Sequence, residues 1–205
     1  MKIYDISMTI HPEMPVYKNK AEKRPVLTFI SDFTTTNSCE SRIQMDMHTG
    51  THVDAPLHML PGGGTIENID LRKVVTCCKV LDLTGAAEKI TRSDLAVKDI
   101  EPGDFVLMKT RNSFVDRFDF EFVYLDKDGA AYLRDRGVAG VGIDALGIER
   151  NQPGHDSHKI LFAAGIIVLE GLRLGEVEEG RYFLCALPLK IQGAESAPAR
   201  AVLVE

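Results

Sequence analysis

From Ser41 to His48, residues of opposite character alternate along the chain. Ile43, Met45 and Met47 fall on one face of an extended segment, and Arg42, Gln44, Asp46 and His48 fall on the other. The pattern predicts a strand that carries His48 at its end on the polar face. Weaker alternation predicts strands over Lys2–Ile10 and Val26–Ile30. Denser apolar runs at Val74–Leu83, Phe105–Lys109, Val138–Ile143 and Gly165–Leu169 predict buried strands. Thr91 and Ser93 are both suitable caps for a short helix that closes before Glu101-Pro-Gly. Tyr124–Arg136 predicts a second helix, with Asp126 as a cap and Gly137 where a C-terminal glycine belongs. Strands flank that helix, a local βαβ pattern. The segment Pro61-Gly-Gly-Gly64 reads as a flexible loop. No repeat or linker divides residues 1–205, so the expectation is a single α/β domain with a mixed central sheet and few helices. Neither a G-x-G-x-x-G nor a Walker loop supports a doubly wound nucleotide fold.

Composition narrows the function classes. At 205 residues, 44% hydrophobic and 26% charged, the chain can bury a full core without disulfide or metal staples. A net charge of -6 and a pI near 5.5 argue against nucleic acid or an anionic membrane as the main partner. The longest apolar run, Ile160–Leu169, is too short to span a bilayer, and the first residues lack the apolar core of a signal peptide. Cys39, Cys77, Cys78 and Cys185 show no C-x-x-C spacing. Reduced thiols and a cytoplasmic location are expected. Cys77 and Cys78, adjacent in a predicted strand, should point to opposite faces as small packing residues.

The candidate chemistry is concentrated in His48-Thr-Gly-Thr-His52-Val-Asp54-Ala-Pro-Leu-His58, which holds three of the six histidines. Imidazole and carboxylate are donors that a borderline divalent cation accepts. Thr-Gly-Thr is poor helix material, so a turn at Gly50 should fold His52 back toward His48. His52 and Asp54 are two apart and share a face in extended chain. Three protein donors plus an open position describe a catalytic zinc site better than a structural one. His58, beyond the proline bend, is either a fourth ligand or a general acid/base, and its near-neutral titration favours the second role. A second cluster holds His155 and His158, and Glu170 ends the apolar run Gly165–Leu169. A carboxylate there needs a cation or an ion pair, for which Arg173 is close in sequence. If His158 lies beside Asp54, that carboxylate can bridge two cations, with His158 and Glu170 completing the second site.

The motif His48-x-Gly-Thr-His52-x-Asp54-x-Pro-x-His58 is similar to the signature of the metal-dependent cyclase-like hydrolases, which include kynurenine formamidase (arylformamidase) and isatin hydrolase. Asp5-Ile-Ser, Gly142-Ile-Asp144, Gly165-Ile-x-x-Leu-Glu170 and Leu187-Pro-Leu-Lys-Ile resemble further family blocks in the same order. The resemblance implies a swivelling β/β/α domain forming homodimers or homotetramers, with active sites near subunit contacts. It implies His48, His52 and Asp54 as first-site ligands and Asp54, His158 and Glu170 as second-site ligands. His58 is implied as the catalytic base. Two Zn2+ ions per subunit are expected, with Mn2+ as the alternative, and a small-molecule formamide or amide as substrate. The chain departs from the formylkynurenine-cleaving members in having no tryptophan and only 7% aromatic residues. Phe33, Phe114, Phe118, Phe120 and Tyr4 are the candidate substitutes. The rival readings are a mononuclear manganese hydrolase of a cyclic amide, a polyketide-type cyclase and a non-catalytic metal-binding domain.

Overall fold

The computed structural model describes residues 1–205. Strand β1 (Ile3–Asp5) precedes a hairpin of β2 (Val26–Ser31) and β3 (Glu40–Gln44), then the short β4 (His52–Asp54). Next come β5 (Val75–Asp82), β6 (Lys89–Ile90), α1 (Arg92–Ala96), β7 (Phe105–Lys109), β8 (Tyr124–Leu125), α2 (Lys127–Arg136) and β9 (Gly140–Ile143). The order ends with α3 (Asp156–Ala163), β10 (Ile167–Glu170), β11 (Gly180–Pro188) and β12 (Ser196–Val204).

Eight strands form one mixed sheet in the order β1-β12-β11-β5-β7-β9-β10-β4. Within it β5, β7, β9 and β10 run parallel, and the remaining pairs are antiparallel. Because β4 pairs with both β10 and β12, the sheet curls back on itself in a barrel-like closure. Side-chain alternation then divides the core. Val106 and Met108 of β7 face one cluster with Leu95, Leu133 and Leu161 of the helices. Phe105 and Leu107 face the other, with Val53, Leu169, Leu184 and Leu203 inside the curl. Gly140 and Gly142 of β9 lie so close to the Phe105 ring and the Leu107 side chain that a Cβ would collide with them.

Several expectations hold closely, including β7, the Thr91 cap with its reciprocal Asp94 contact, and Gly137 at φ 70. Others need correction. The strand expected over Ser41–His48 stops at Gln44, and all five β3 residues are exposed. The sole partner of β3 is β2, whose pairing begins at Val26 opposite Gln44, so no ladder exists beyond that point. His48 therefore sits in a turn, where the Thr49 N–H donates to Asp46 O at 3.2 Å. The opening strand is shorter than Lys2–Ile10, because the Met8 N–H turns away to donate to Thr51 Oγ1. Tyr124 and Leu125 pair with β6, and α2 starts only after Asp126, whose Oδ1 accepts from the Gly129 N–H. Helix α3 and the β11–β12 hairpin were outside the predicted elements. The buried positions of α3 are Ser157, His158, Leu161 and Phe162, a helical spacing disguised by two polar residues. Cys77 is exposed and Cys78 buried, as the alternation requires.

Candidate metal centre

Strand β4 lies between β10 and β12, in a register that sets His52 opposite Glu170 and Pro198. Two residues on, Asp54 stands on the same face. Gly50, at φ 65, makes the turn that brings the His48 and His52 ring centroids to 5.0 Å. His58 arrives from the turn Pro56–His58, with its ring 4.3 Å from that of His48. His158 enters from the first turn of α3, and its ring is 5.6 Å from that of His58. The structure thus brings together all six residues singled out in the sequence, from two segments about a hundred positions apart.

The distances describe a ring of donors around Asp54. His48 Nδ1 is 3.0 Å and His52 Nε2 3.5 Å from Asp54 Oδ1, and His158 Nε2 is 3.7 Å from Oδ2. Glu170 reaches His52 Nε2 at 3.2 Å and His158 Nε2 at 3.3 Å through its two oxygens. None of these contacts has hydrogen-bond geometry. His52 Nε2, His158 Nε2 and both Asp54 oxygens are fully buried without a hydrogen-bond partner. Four such atoms aimed at one another are costly unless a cation lies among them. The other ring nitrogens are occupied: His52 Nδ1 faces Gly50 O at 2.9 Å, and His158 Nδ1 faces Glu149 Oε2 at 2.5 Å. Donation to these oxygens leaves the Nε2 lone pair of each ring for a metal. The residues fit a divalent cation.

The charges respond accordingly. Burial pulls His52 down, but Asp54 and Glu170 outweigh it and lift the imidazole to about 9. Burial likewise opposes protonation of His158, yet Asp54, Glu149 and Glu170 raise it well above its usual value. Burial would raise Glu170, as would the neighbouring Asp54, while His158 and His52 bring it to about 2. Asp54 is held well below the carboxylate range by the imidazoles of His52, His158 and His48, against burial. Protons on histidine thus occupy the role a cation would take. His58 differs: burial lowers it, and the neighbouring imidazoles of His48 and His158 add to that against the pull of Asp54 and Glu170.

Three further residues emerge. Glu149 anchors His158 and also accepts from the Ser157 N–H at 2.8 Å, tying the start of α3 to the loop after β9. Glu195, between β11 and β12, lies 3.4 Å from His48 Nε2. Tyr17 lines the cavity of about 220 Å³ beside the ring, together with His48, His58 and Met59. None of the expected aromatics Phe33, Phe114, Phe118, Phe120 and Tyr4 lines that cavity. Arg173 does not pair with Glu170, whose Oε1 instead accepts from the Ile148 N–H at 2.6 Å. Glu149 was legible only as a carboxylate near the second cluster, and nothing local in the sequence marked Tyr17.

Residues 4–150 match a family model described as "Putative cyclase". A kynurenine formamidase of Sphingopyxis alaskensis is 31% identical over 209 residues, covering 100% of this chain and 98% of the relative. A solved structure described as a "predicted metal-dependent hydrolase" from Bacillus stearothermophilus is 56% identical with a TM-score of 0.90, covering 98% of this chain and 97% of that one. Isatin hydrolase A from Labrenzia aggregata, bound to benzyl benzoate, gives a TM-score of 0.86 at 26% identity, covering 98% of this chain and 93% of its own.

Proposed function

The chain belongs to the Cyclase family, and on that premise we propose that it is a metal-dependent hydrolase of a formamide or amide bond in a small substrate. The observation that carries this reading is the convergence of four partnerless buried atoms, His52 Nε2, His158 Nε2 and the Asp54 oxygens, beside an open cavity. His48, His52 and Asp54 would hold one cation, and Asp54, His158 and Glu170 a second. Zn2+ suits these donors, and Mn2+ is the alternative. A cation bound there supplies acidified water and polarisation of a carbonyl.

The remaining work falls to the protein. His58 keeps a depressed affinity for protons. It is therefore free near neutrality to accept a proton and pass it to the departing nitrogen. Glu149 fixes the His158 tautomer, and the Tyr17 ring forms an apolar wall for the substrate. Kynurenine formamidase relatives favour a linear formamide. The likeness to isatin hydrolase A supports a cyclic amide as the second reading.

We further propose one domain over residues 1–205 and a homodimer or homotetramer. Exposure of Val26, Leu27, Phe29, Ile30 and Phe33 on the β2–β3 hairpin supports self-association. A cytoplasmic location agrees with four free cysteines, and no helix is long and apolar enough to cross a membrane.

The test is turnover of an N-formyl, ester and lactam panel by protein stripped with a chelator and reloaded with Zn2+ or Mn2+, with metal counted per subunit. Turnover of a formamide or lactam restored by metal is expected. Absence of turnover on every substrate with both metals would overturn the hydrolase reading.

A further inference from the structure

A smaller cleft of about 30 Å³ adjoins the metal-centre cavity, and the two share Pro15 and Leu146 in their walls. Arg117, Arg173, Asn112 and Phe118 line it. Arg173 is half-buried, yet its side chain makes a single long hydrogen bond, 3.4 Å, to Leu172 O. Asp116 and Asp144 attract it from beyond ion-pair distance. The acidic groups of the cleft are already satisfied elsewhere. Asp144 accepts from the Thr110 N–H and Oγ1, the Asn112 amide, and the Ser113 N–H and Oγ. Asp119 pairs with Arg111 at 2.9 Å. Arg117 stands exposed at the rim.

A partly desolvated guanidinium with no dedicated anion is unfavourable by itself, and its planar fork matches a carboxylate in two parallel hydrogen bonds. The path from cavity to cleft is apolar. Tyr17 lines the cavity and Phe118 the cleft, and their rings meet edge to face at 5.4 Å. We infer that the cleft is a subsite for a substrate carboxylate, gripped by Arg173 and assisted at the rim by Arg117. The preferred substrates are then anionic formamides or amides whose apolar body rests along Tyr17 and Phe118. This inference rests on the hydrolase reading for its substrate class, but not for the existence of an anion site.

The test compares formanilide with its para-carboxylate, 4-formamidobenzoate, on the metal-loaded full chain. Arg173→Gln should raise KM for the carboxylate by about 10–100-fold, the worth of a charge-assisted contact. KM for formanilide and kcat for both should stay within about twofold. Arg173→Lys should recover part of the loss, and the exposed-site variant Arg117→Gln should show a smaller shift in the same direction. Equal losses on both substrates would mean a structural role, and no change on either would mean no role; both overturn the inference. Calorimetric titration with benzoate, and with benzamide as the neutral control, reads the site without turnover. Benzoate binding should weaken by the same factor in Arg173→Gln, with the folded state checked by thermal melting. Unchanged benzoate affinity overturns the subsite even if hydrolysis succeeds. Failure of the wild type on both formamides counts against the hydrolase reading, while the benzoate titration still decides the anion site. If Arg173→Gln does not fold, Arg117→Gln decides, and an unchanged benzoate affinity in it overturns the rim contact and with it the two-arginine subsite.

Discussion

His58 differs from its neighbours in what surrounds it. His52 and His158 each have one ring nitrogen committed to an oxygen behind them and one aimed into the ring of donors, whereas burial and two nearby imidazoles leave His58 short of protons. His58→Ala should therefore keep its metal content, read by elemental analysis, while turnover falls on the order of 10²–10⁴-fold. Loss of metal in that variant would make His58 a ligand instead. Glu149→Gln keeps the shape but weakens the hold on His158 Nδ1, and metal affinity measured by competition with a chromophoric chelator should drop about 10–100-fold. The pH dependence follows from His52, raised from 6.5 to about 9 without metal. Its protonated form stabilises the metal-free fold fully below 6.5, and that contribution is lost as pH rises through about 9. Metal must displace this proton, so affinity should climb with pH across that window. Calorimetry in buffers of different ionisation enthalpy should detect proton release, and a flat affinity profile would contradict the assignment.

Among the elements, the short strand β4 and the end of β10 decide whether the site exists. Gly171 follows Glu170 at φ 70, and a Cβ there would run into Gly50 O at the turn that carries His48. The Gly171 N–H also donates to Ala145 O at 2.7 Å. Gly171→Ala should accordingly disturb both halves of the donor ring at once. The expected result is a lower melting temperature and a loss of metal binding together, whereas Gly62→Ala, with open space around it but also at positive φ, should spare metal binding. Periodicity located the elements packed into a core, such as β5 and β7, because burial enforces alternation. It misjudged the chain between β3 and β4, since alternation in Ser41–His48 reflects an exposed hairpin whose partner runs out at Gln44. It passed over α3, where the polar Ser157 and His158 occupy the buried stripe that would otherwise be apolar.

For the whole molecule, a cation held among the paired donors would be a structural as well as a chemical partner. A cation that binds only the folded chain at a thousand times its Kd stabilises it by about 4 kcal/mol. For a chain of this size that corresponds to a rise in Tm on the order of 10 °C, and a melting scan with and without chelator measures it. A Tm indifferent to metal would show that no cation binds the folded chain in preference to the unfolded one. The residue types of the centre could be read from the sequence because His48, His52, Asp54 and His58 crowd one short segment, where turn and strand geometry alone constrain their directions. The meeting of that segment with His158 and Glu170 could be reached only through family resemblance. In the molecule it follows from β10 lying antiparallel to β4, with Glu170 opposite His52. The positions of Glu149, Tyr17 and Arg173 around the centre and its cleft were decided by tertiary structure alone. Glu149 meets the His158 ring, Tyr17 the Phe118 ring, and Arg173 shares a cleft with Asn112 and Arg117, whereas local periodicity records which face of an element is buried, not which side chain beyond that element it will meet.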